Sequence, residues 1–243
     1  MSKQQIIAGR NPVLELLQSD RGVEKVLLSK SASGDVVKEI LQLCRDKEVT
    51  YQFVPEVKIQ SLSRANHQGV LAITSLITYY NVQEIVDFVF SKGEDPLLLI
   101  LENVTDVRNL GAVARTALGL GVHAIIFPKK ESAAVNDVAV KISAGALLKI
   151  PLCRVDNLSV TIKDIKNNGI KVIGLDGTAD RFISEAQLKM PLALIAGSED
   201  EGMSNAIVRL VDELVKLPMG SDLESYNVSV ATAMALYEVN RQK

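Results

Sequence analysis

A chain of 243 residues, 47% hydrophobic and 23% charged, holds enough apolar material for one large domain or two modest ones, and this composition excludes disordered, collagen-like and disulfide-framework classes. The net charge of −2 excludes a protein held on nucleic acid by bulk electrostatics. Residues 1–79 carry 10 Lys/Arg against 8 Asp/Glu and residues 80–243 carry 17 against 21, an asymmetry that suits an N-terminal part facing phosphates and equally suits ordinary surface scatter.

The N-terminal Met1-Ser2-Lys3-Gln4-Gln5 is followed by no long apolar run, so no signal peptide is visible and a cytoplasmic protein is expected. Asn11-Pro12 reads as a helix cap followed by proline at the first helical position. Residues 23–28 read as a strand, and residues 35–45 as a helix, with Val36, Val37, Ile40, Leu41 and Cys44 at helical spacing. Residues 49–54 and 70–77 are β-branched-rich strands. This α/β unit is expected to end near residue 76. Residues 77–95, with a short helical pattern through Ile85, Val86 and Val89 and the breaker run Lys92-Gly93-Glu94-Asp95-Pro96, are expected to form a linker and junction.

The remainder alternates strands and helices. Strands are expected at 97–101, 123–127, 170–175, 192–196 and 213–217, and helices at 109–120, 137–148, 204–211 and from about 225 to 241. Continuous apolar strands between helices imply a parallel sheet covered on both faces. The most apolar stretch, 96–101, is far short of the roughly 20 residues that span a bilayer. Cys44 and Cys153 lack CxxC spacing and read as small buried hydrophobes in a reducing compartment.

Three segments at expected strand ends carry chemistry, where open α/β sheets bind ligands. In Glu102-Asn103-Val104-Thr105-Asp106-Val107-Arg108-Asn109-Leu110-Gly111-Ala112-Val113-Ala114-Arg115, Asn109 can cap a helix whose first turn is kept slim by Gly111 and Ala112. Alone, this is equally a capped helix with a solvated arginine. In Leu194-Ile195-Ala196-Gly197-Ser198-Glu199-Asp200-Glu201-Gly202-Met203, three acids follow a buried strand within five residues of its end. No histidine or cysteine stands near, so Glu199 reads as a hydrogen-bonding carboxylate in preference to a metal ligand. In the third, residues 217–231, Ser225 or Asn227 can cap a last helix lined by Ser229, Ala231, Ala233 and Ala235.

In this order and spacing the three segments resemble the signature motifs of the SpoU/TrmH branch of the SPOUT RNA methyltransferases, from about residue 96 onward. Ile7-Ala8-Gly9-Arg10-Asn11-Pro12-Val13 and His67-Gln68-Gly69-Val70 resemble the start and end of the L30e-like substrate domain common in that family. The likeness is nearest to the type that methylates a guanosine ribose in large-subunit rRNA. It implies an α/β fold with a C-terminal trefoil-knot domain of mostly parallel sheet (residues 96–243) and a smaller N-terminal L30e-like RNA-binding domain (residues 1–76). It implies S-adenosyl-L-methionine as cofactor, RNA as substrate, and a homodimer with active sites at the subunit interface. By matching positions, Asn109, Arg115, Glu199, Ser225 and Asn227 belong to the catalytic motifs, and Leu175, Gly177, Gly197, Leu217, Met219 and Tyr226 to the cofactor set. The chain departs from the family at Val107, where proline is frequent, at Ser221 with Gly220 before it, and at Tyr226, where leucine is usual.

Gly119-Leu120-Gly121-Val122-His123-Ala124 matches a dinucleotide fingerprint, but a helix is expected before it and a strand after it, the reverse of what phosphate binding needs. His67 and His123 have no partners at zinc-ligand spacing and no GxSxG serine, so no metal is expected. A non-catalytic RNA-binding or assembly protein on the same fold is the alternative, and an unrelated nucleotide-dependent enzyme a third. In the methyltransferase reading, Arg115 stabilises a developing alkoxide and holds a phosphate, since a guanidinium does not deprotonate at working pH. Asn109 and Glu199 then position Arg115 and the ribose.

Overall fold

The computed structural model describes residues 5–19, 22–47, 49–74, 77–133, 135–220 and 225–243. The chain divides into two compact units, Met1–Thr78 and Tyr79–Lys243.

The first unit holds strands β1 (Ile6–Ala8), β2 (Val23–Ser29), β3 (Thr50–Val54) and β4 (Val70–Thr74) and helices α1 (Arg10–Gln18), α2 (Asp35–Asp46) and α3 (Glu56–Leu62). The sheet order is β1-β4-β2-β3, parallel only between β2 and β3. Alternate residues part to opposite faces, as the two-residue strand period requires. Val26, Leu28, Val70 and Ala72 pack on α1 and α2, and Leu27 and Leu71 pack on Ile59 of α3. Asn11 does not cap α1. The helix starts at Arg10 with Gly9 before it, and the Gly9 carbonyl accepts from the Val13 N–H, so Pro12 stands inside the first turn. Strand β1 and helix α3 carry no strong periodicity and were not expected.

The second unit holds α4 (Val82–Ser91), β5 (Leu97–Leu101), α5 (Val107–Gly119), β6 (Ala124–Pro128), α6 (Asp137–Ile142), β7 (Leu152–Val155), α7 (Leu158–Asn167), β8 (Lys171–Leu175), β9 (Leu192–Ala196), α8 (Asn205–Val208), β10 (Glu213–Val215) and α9 (Val228–Arg241). The six strands form one wholly parallel sheet in the order β10-β8-β9-β5-β6-β7. β5 is at most 1% exposed along its length, and each of its leucine and isoleucine side chains contributes about 1.5–3 kcal/mol by burial. Leu98 and Ile100 face a core built with Ile85, Val86 and Val89 of α4 and Ile162 and Ile165 of α7. Thus α4 belongs by packing to the second unit, inside the segment expected as a linker. On the other face, α5 packs with α6 and α9, and α9 with β9.

The helix expected over 137–148 is two pieces. α6 stops at Ile142, Ala144 and Gly145 adopt φ 49° and 83°, and a 3-10 turn follows at Ala146–Leu148, because left-handed residues end the i→i−4 ladder. α8 is only four residues, shorter than the expected 204–211. β7 and α7 were not anticipated. Among the described residues no helix is long and apolar enough to cross a membrane.

Candidate active site

Every loop at the carboxyl ends of β8, β9, β10 and β5 contributes to one region, because parallel strands all end at the same edge. The β9 loop is a tight return in which Ser198 N–H donates to Gly202 O at 3.2 Å and Gly202 N–H donates back to Ser198 O at 3.1 Å. A Cβ at Gly197 would lie 2.2 Å from the Gly202 backbone, so only glycine fits there. Glu102, 7% exposed at the end of β5, fixes the loop's far side by accepting from Ser204 N–H (3.0 Å) and Oγ–H (2.7 Å).

Helix α5 begins two residues earlier than the sequence suggests. Asp106, not Asn109, is its cap and accepts the Arg108 N–H at 2.8 Å. The Arg108 guanidinium hydrogen-bonds the same carboxylate and holds it below the usual carboxylate range. With the cap supplied, the Asn109 side chain is free to reach elsewhere. Gly111 serves packing: a Cβ there would lie 2.9 Å from Ala139 O and Ile142 of α6.

Asn109 Nδ2 donates to Glu199 Oε1 at 2.7 Å, Asn227 Nδ2 donates to Asn109 Oδ1 at 3.1 Å and also to Glu199 Oε1, and Val228 N–H reaches that same oxygen at 3.3 Å. Asn227 caps α9 as expected, its Oδ1 accepting from Ser229 N–H (3.0 Å) and Oγ–H (2.5 Å). Both amide hydrogens and both oxygen lone pairs of Asn227 are therefore engaged, which fixes the orientation of its amide. Glu199 Oε1 accepts three donors from two segments, the first turn of α5 and the start of α9.

Beside this cluster lies a cavity of about 440 Å³ at the ends of β8, β9 and β10. Leu175, Gly177, Gly197, Leu217, Met219 and Tyr226 all line it, as do Glu199 and Ser225. The Tyr226 hydroxyl donates to Pro218 O at 3.0 Å, tying the β10 loop to itself instead of reaching solvent. Ser221 lies outside the described residues. A second cavity of about 470 Å³ shares Ser198, Glu199, Asp200, Glu201 and Val228 with the first and adds Asn103, Asp106, Asn109 and Glu131. Among the described residues no Lys or Arg lines either cavity. Arg115 is not brought to the cluster. It is exposed on α5 and, among the described residues, has no hydrogen-bond or ion-pair partner. Six residues past Asn109 it stands about 9 Å along the helix and well around its circumference.

Residues 96–237, covering these strand-end loops, match the model of the SpoU rRNA Methylase family. The chain belongs to this family. At that level it is an RNA methyltransferase. Residues 6–80 match a second model, described as RNA 2'-O ribose methyltransferase substrate binding. A relative in Bacillus subtilis, YacO, named for the TrmH family of tRNA/rRNA methyltransferases, is 35% identical over 237 residues, covering 98% of this chain and 95% of that one. The SpoU methyltransferase AviRb from Streptomyces viridochromogenes, solved with the cofactor AdoMet, shares the fold at TM-score 0.63 and 24% identity, over 98% of this chain and 90% of the other. The AdoMet-bound rRNA methyltransferase from Sinorhizobium meliloti does so at TM-score 0.60 and 20% identity, over 98% and 87%.

This SpoU chain places further residues at the first cavity that the motifs did not single out. Thr178 N–H and Oγ–H both donate to Asp176 Oδ1, at 2.8 and 2.6 Å, shaping the turn after β8. Asp176-Gly177 directly after an apolar strand is a turn signal that could have found them. Val228 and Ala231 of α9 close the cavity floor and carry no chemical signature. The GxGxxA segment lies between the end of α5 and the start of β6, and His123 there is structural: its Nδ1 accepts from the Leu97 N–H at 2.9 Å. Both cysteines are buried and unpaired.

Proposed function

We propose that the protein transfers the methyl group of S-adenosylmethionine to a ribose 2′-hydroxyl of RNA, in the cytoplasm, with a guanosine of large-subunit rRNA as target. The observation that carries this reading is Glu199, held by Asn109 and Asn227, in the wall shared by two cavities of similar size.

The first cavity fits the cofactor. Asp176, Glu199, Asp200 and Glu201, with no basic residue among its lining, favour a cationic ligand. Leu175, Val215, Leu217, Met219 and Val228 offer apolar walls to a nucleobase, and at Gly177 a Cβ would meet no protein atom within 4 Å. When bound there, S-adenosylmethionine supplies an electrophilic methyl group on a positively charged sulfur.

The chain's own residues align and polarise the hydroxyl. Asn109 is the cluster member with capacity to spare: one amide hydrogen and one lone pair remain for a ribose in the second cavity. Glu199 Oε2 makes no hydrogen bond among the described residues and is an acceptor for a second hydroxyl. Ser225 lines the cofactor side. Arg115 stabilises negative charge developing on O2′ and holds a phosphate, the proton leaving to that phosphate or to water. Its distance from the Glu199 cluster supports a role at a partner's site, in a homodimer as the working form. Exposed Leu118, Val138, Val230 and Tyr237 on α5, α6 and α9 supply apolar surface for that association. Residues 1–76 select the RNA and residues 96–243 hold the chemistry.

Incubation with radiolabelled cofactor and unmodified rRNA or tRNA, then nuclease digestion and mass spectrometry, tests the reading. 2′-O-methylguanosine from rRNA is expected. A base-methylated nucleoside, or no transfer, overturns the ribose assignment, and label confined to tRNA overturns the rRNA assignment.

A further inference from the structure

A row of cavities extends from the two beside Glu199 past the carboxyl ends of β5 and β6 and then along the outer side of β7, where the Tyr80 N–H donates to the carbonyl of its first residue, Leu152. The second shares Asn103 and Glu131 with a third of about 260 Å³, and the third shares Asp156 and Asn157 with a fourth of about 440 Å³. The row crosses from β8 to β7, four strand spacings or about 19 Å. Its character changes along the way. Near Glu199 the described lining carries acids and no base, whereas the far half mixes Lys130 and Arg154 with Glu102, Glu131, Asp156 and Asp164.

The fourth cavity has the make-up of a nucleobase slot. Tyr80 lines it while 47% exposed, so its ring offers a free face. Val155 and Val160 add apolar walls, and Asn157 and Thr161 add polar edges. Arg154 is held in place, its guanidinium 5.1 Å from the Tyr79 ring centroid and one amine donating to Lys129 O at 3.1 Å. Asp156 on the shared wall is neutralised by Lys129 at 2.8 Å, which lowers the repulsion a phosphate would meet. Stacking on an aromatic ring beside a cation is how single-stranded RNA is held without sequence preference.

We propose that this end cavity is a subsite for an unpaired RNA base flanking the methylated nucleotide, and that the row of cavities is the track of the strand between them. The proposal rests on the RNA methylation assigned above. Continuity with the candidate active site is what selects single-stranded RNA as the occupant.

The chain contains no tryptophan, so Tyr80→Trp creates a single fluorescent reporter. Titration with a single-stranded oligoadenylate is expected to quench it saturably, and an RNA duplex of equal length is expected to do so weakly. Tyr80→Ala, and Val160→Trp, which fills the slot from a 53% exposed position, are expected to raise KM for RNA about fivefold or more, with the cofactor Kd unchanged. Wild-type methylation of RNA together with unaltered KM in both variants and no quenching overturns the subsite alone. A fall confined to kcat also overturns it, since it marks a structural role. Wild-type protein that methylates no RNA overturns the parent function instead.

Discussion

Asn109 and Glu199, 90 residues apart in the chain, meet through one hydrogen bond of 2.7 Å, and the carboxylate oxygen that accepts it is the one reached by Asn227 and Val228. A single oxygen thus joins the loop after β9 to the starts of α5 and α9. Glu199→Gln keeps the shape and replaces a charged acceptor with a neutral one, which weakens all three bonds. Steady-state assays are expected to show kcat lowered about tenfold or more, with circular dichroism unchanged. Near wild-type turnover would mean that the charge has no part in alignment.

Arg115→Lys is expected to abolish most activity while leaving cofactor affinity intact, because a point charge does not reproduce the planar fork. If Arg115 acts across the dimer, mixing the impaired Arg115→Lys and Glu199→Gln proteins with subunit exchange is expected to raise activity to about a quarter of wild type, since each mixed dimer has one intact site. No restoration, with exchange verified, would place Arg115 in its own chain's chemistry or outside it.

Tyr226 contributes a ring at the cavity and a hydroxyl bonded to Pro218 O. Calorimetry is expected to find that Tyr226→Phe weakens S-adenosylmethionine binding by no more than about fivefold, the worth of one hydrogen bond. Tyr226→Leu is expected to weaken it further, by the stacking of the ring. Equal affinities for wild type and both variants would leave the side chain a loop tie only.

Burial pushes the Cys44 thiol up to about 11 and the Cys153 thiol up to about 12. Neither is a thiolate at pH 8, and a thiol reagent is expected to modify no cysteine in the native protein and both after denaturation. Rapid labelling of either in native protein would show that its core opens.

The Arg241 side chain, with Gln242, holds Glu238 down to about 2, and Lys171 with Arg181 lowers Glu213. A depressed carboxyl binds fewer protons folded than unfolded, so its contribution is complete above the unfolded value near 4.5 and is lost as pH falls towards 2. Denaturant titrations are expected to find stability flat from pH 5 to 7 and declining through that acid window. Glu238→Gln should soften the decline.

The sequence was most legible where burial is two-sided. Leu97–Leu101 and Leu192–Ala196 are apolar at every position and were bounded to the residue. β7 and α7 escaped because Arg154 interrupts a four-residue strand, and the helix shows its apolar face only as Leu158, Ile162 and Ile165. Asn109 looked like a cap because asparagine before an apolar run usually is one. Asp106 takes that role, and only the folded chain shows the asparagine turned towards Glu199. The cofactor set came from matched positions, and no spacing rule would have joined residues 175, 197, 217 and 226 to one cavity.

The pairing of Leu97 with Leu192 carries a cost of timing. β5 takes β6 on one side from nearby sequence, while β9, its neighbour on the other side, arrives only after β7, α7 and β8 have been laid down. Until then an all-apolar strand offers a bare edge to any other chain. Refolding from denaturant is therefore expected to be slow, governed by this distant closure, with a yield that falls as protein concentration rises.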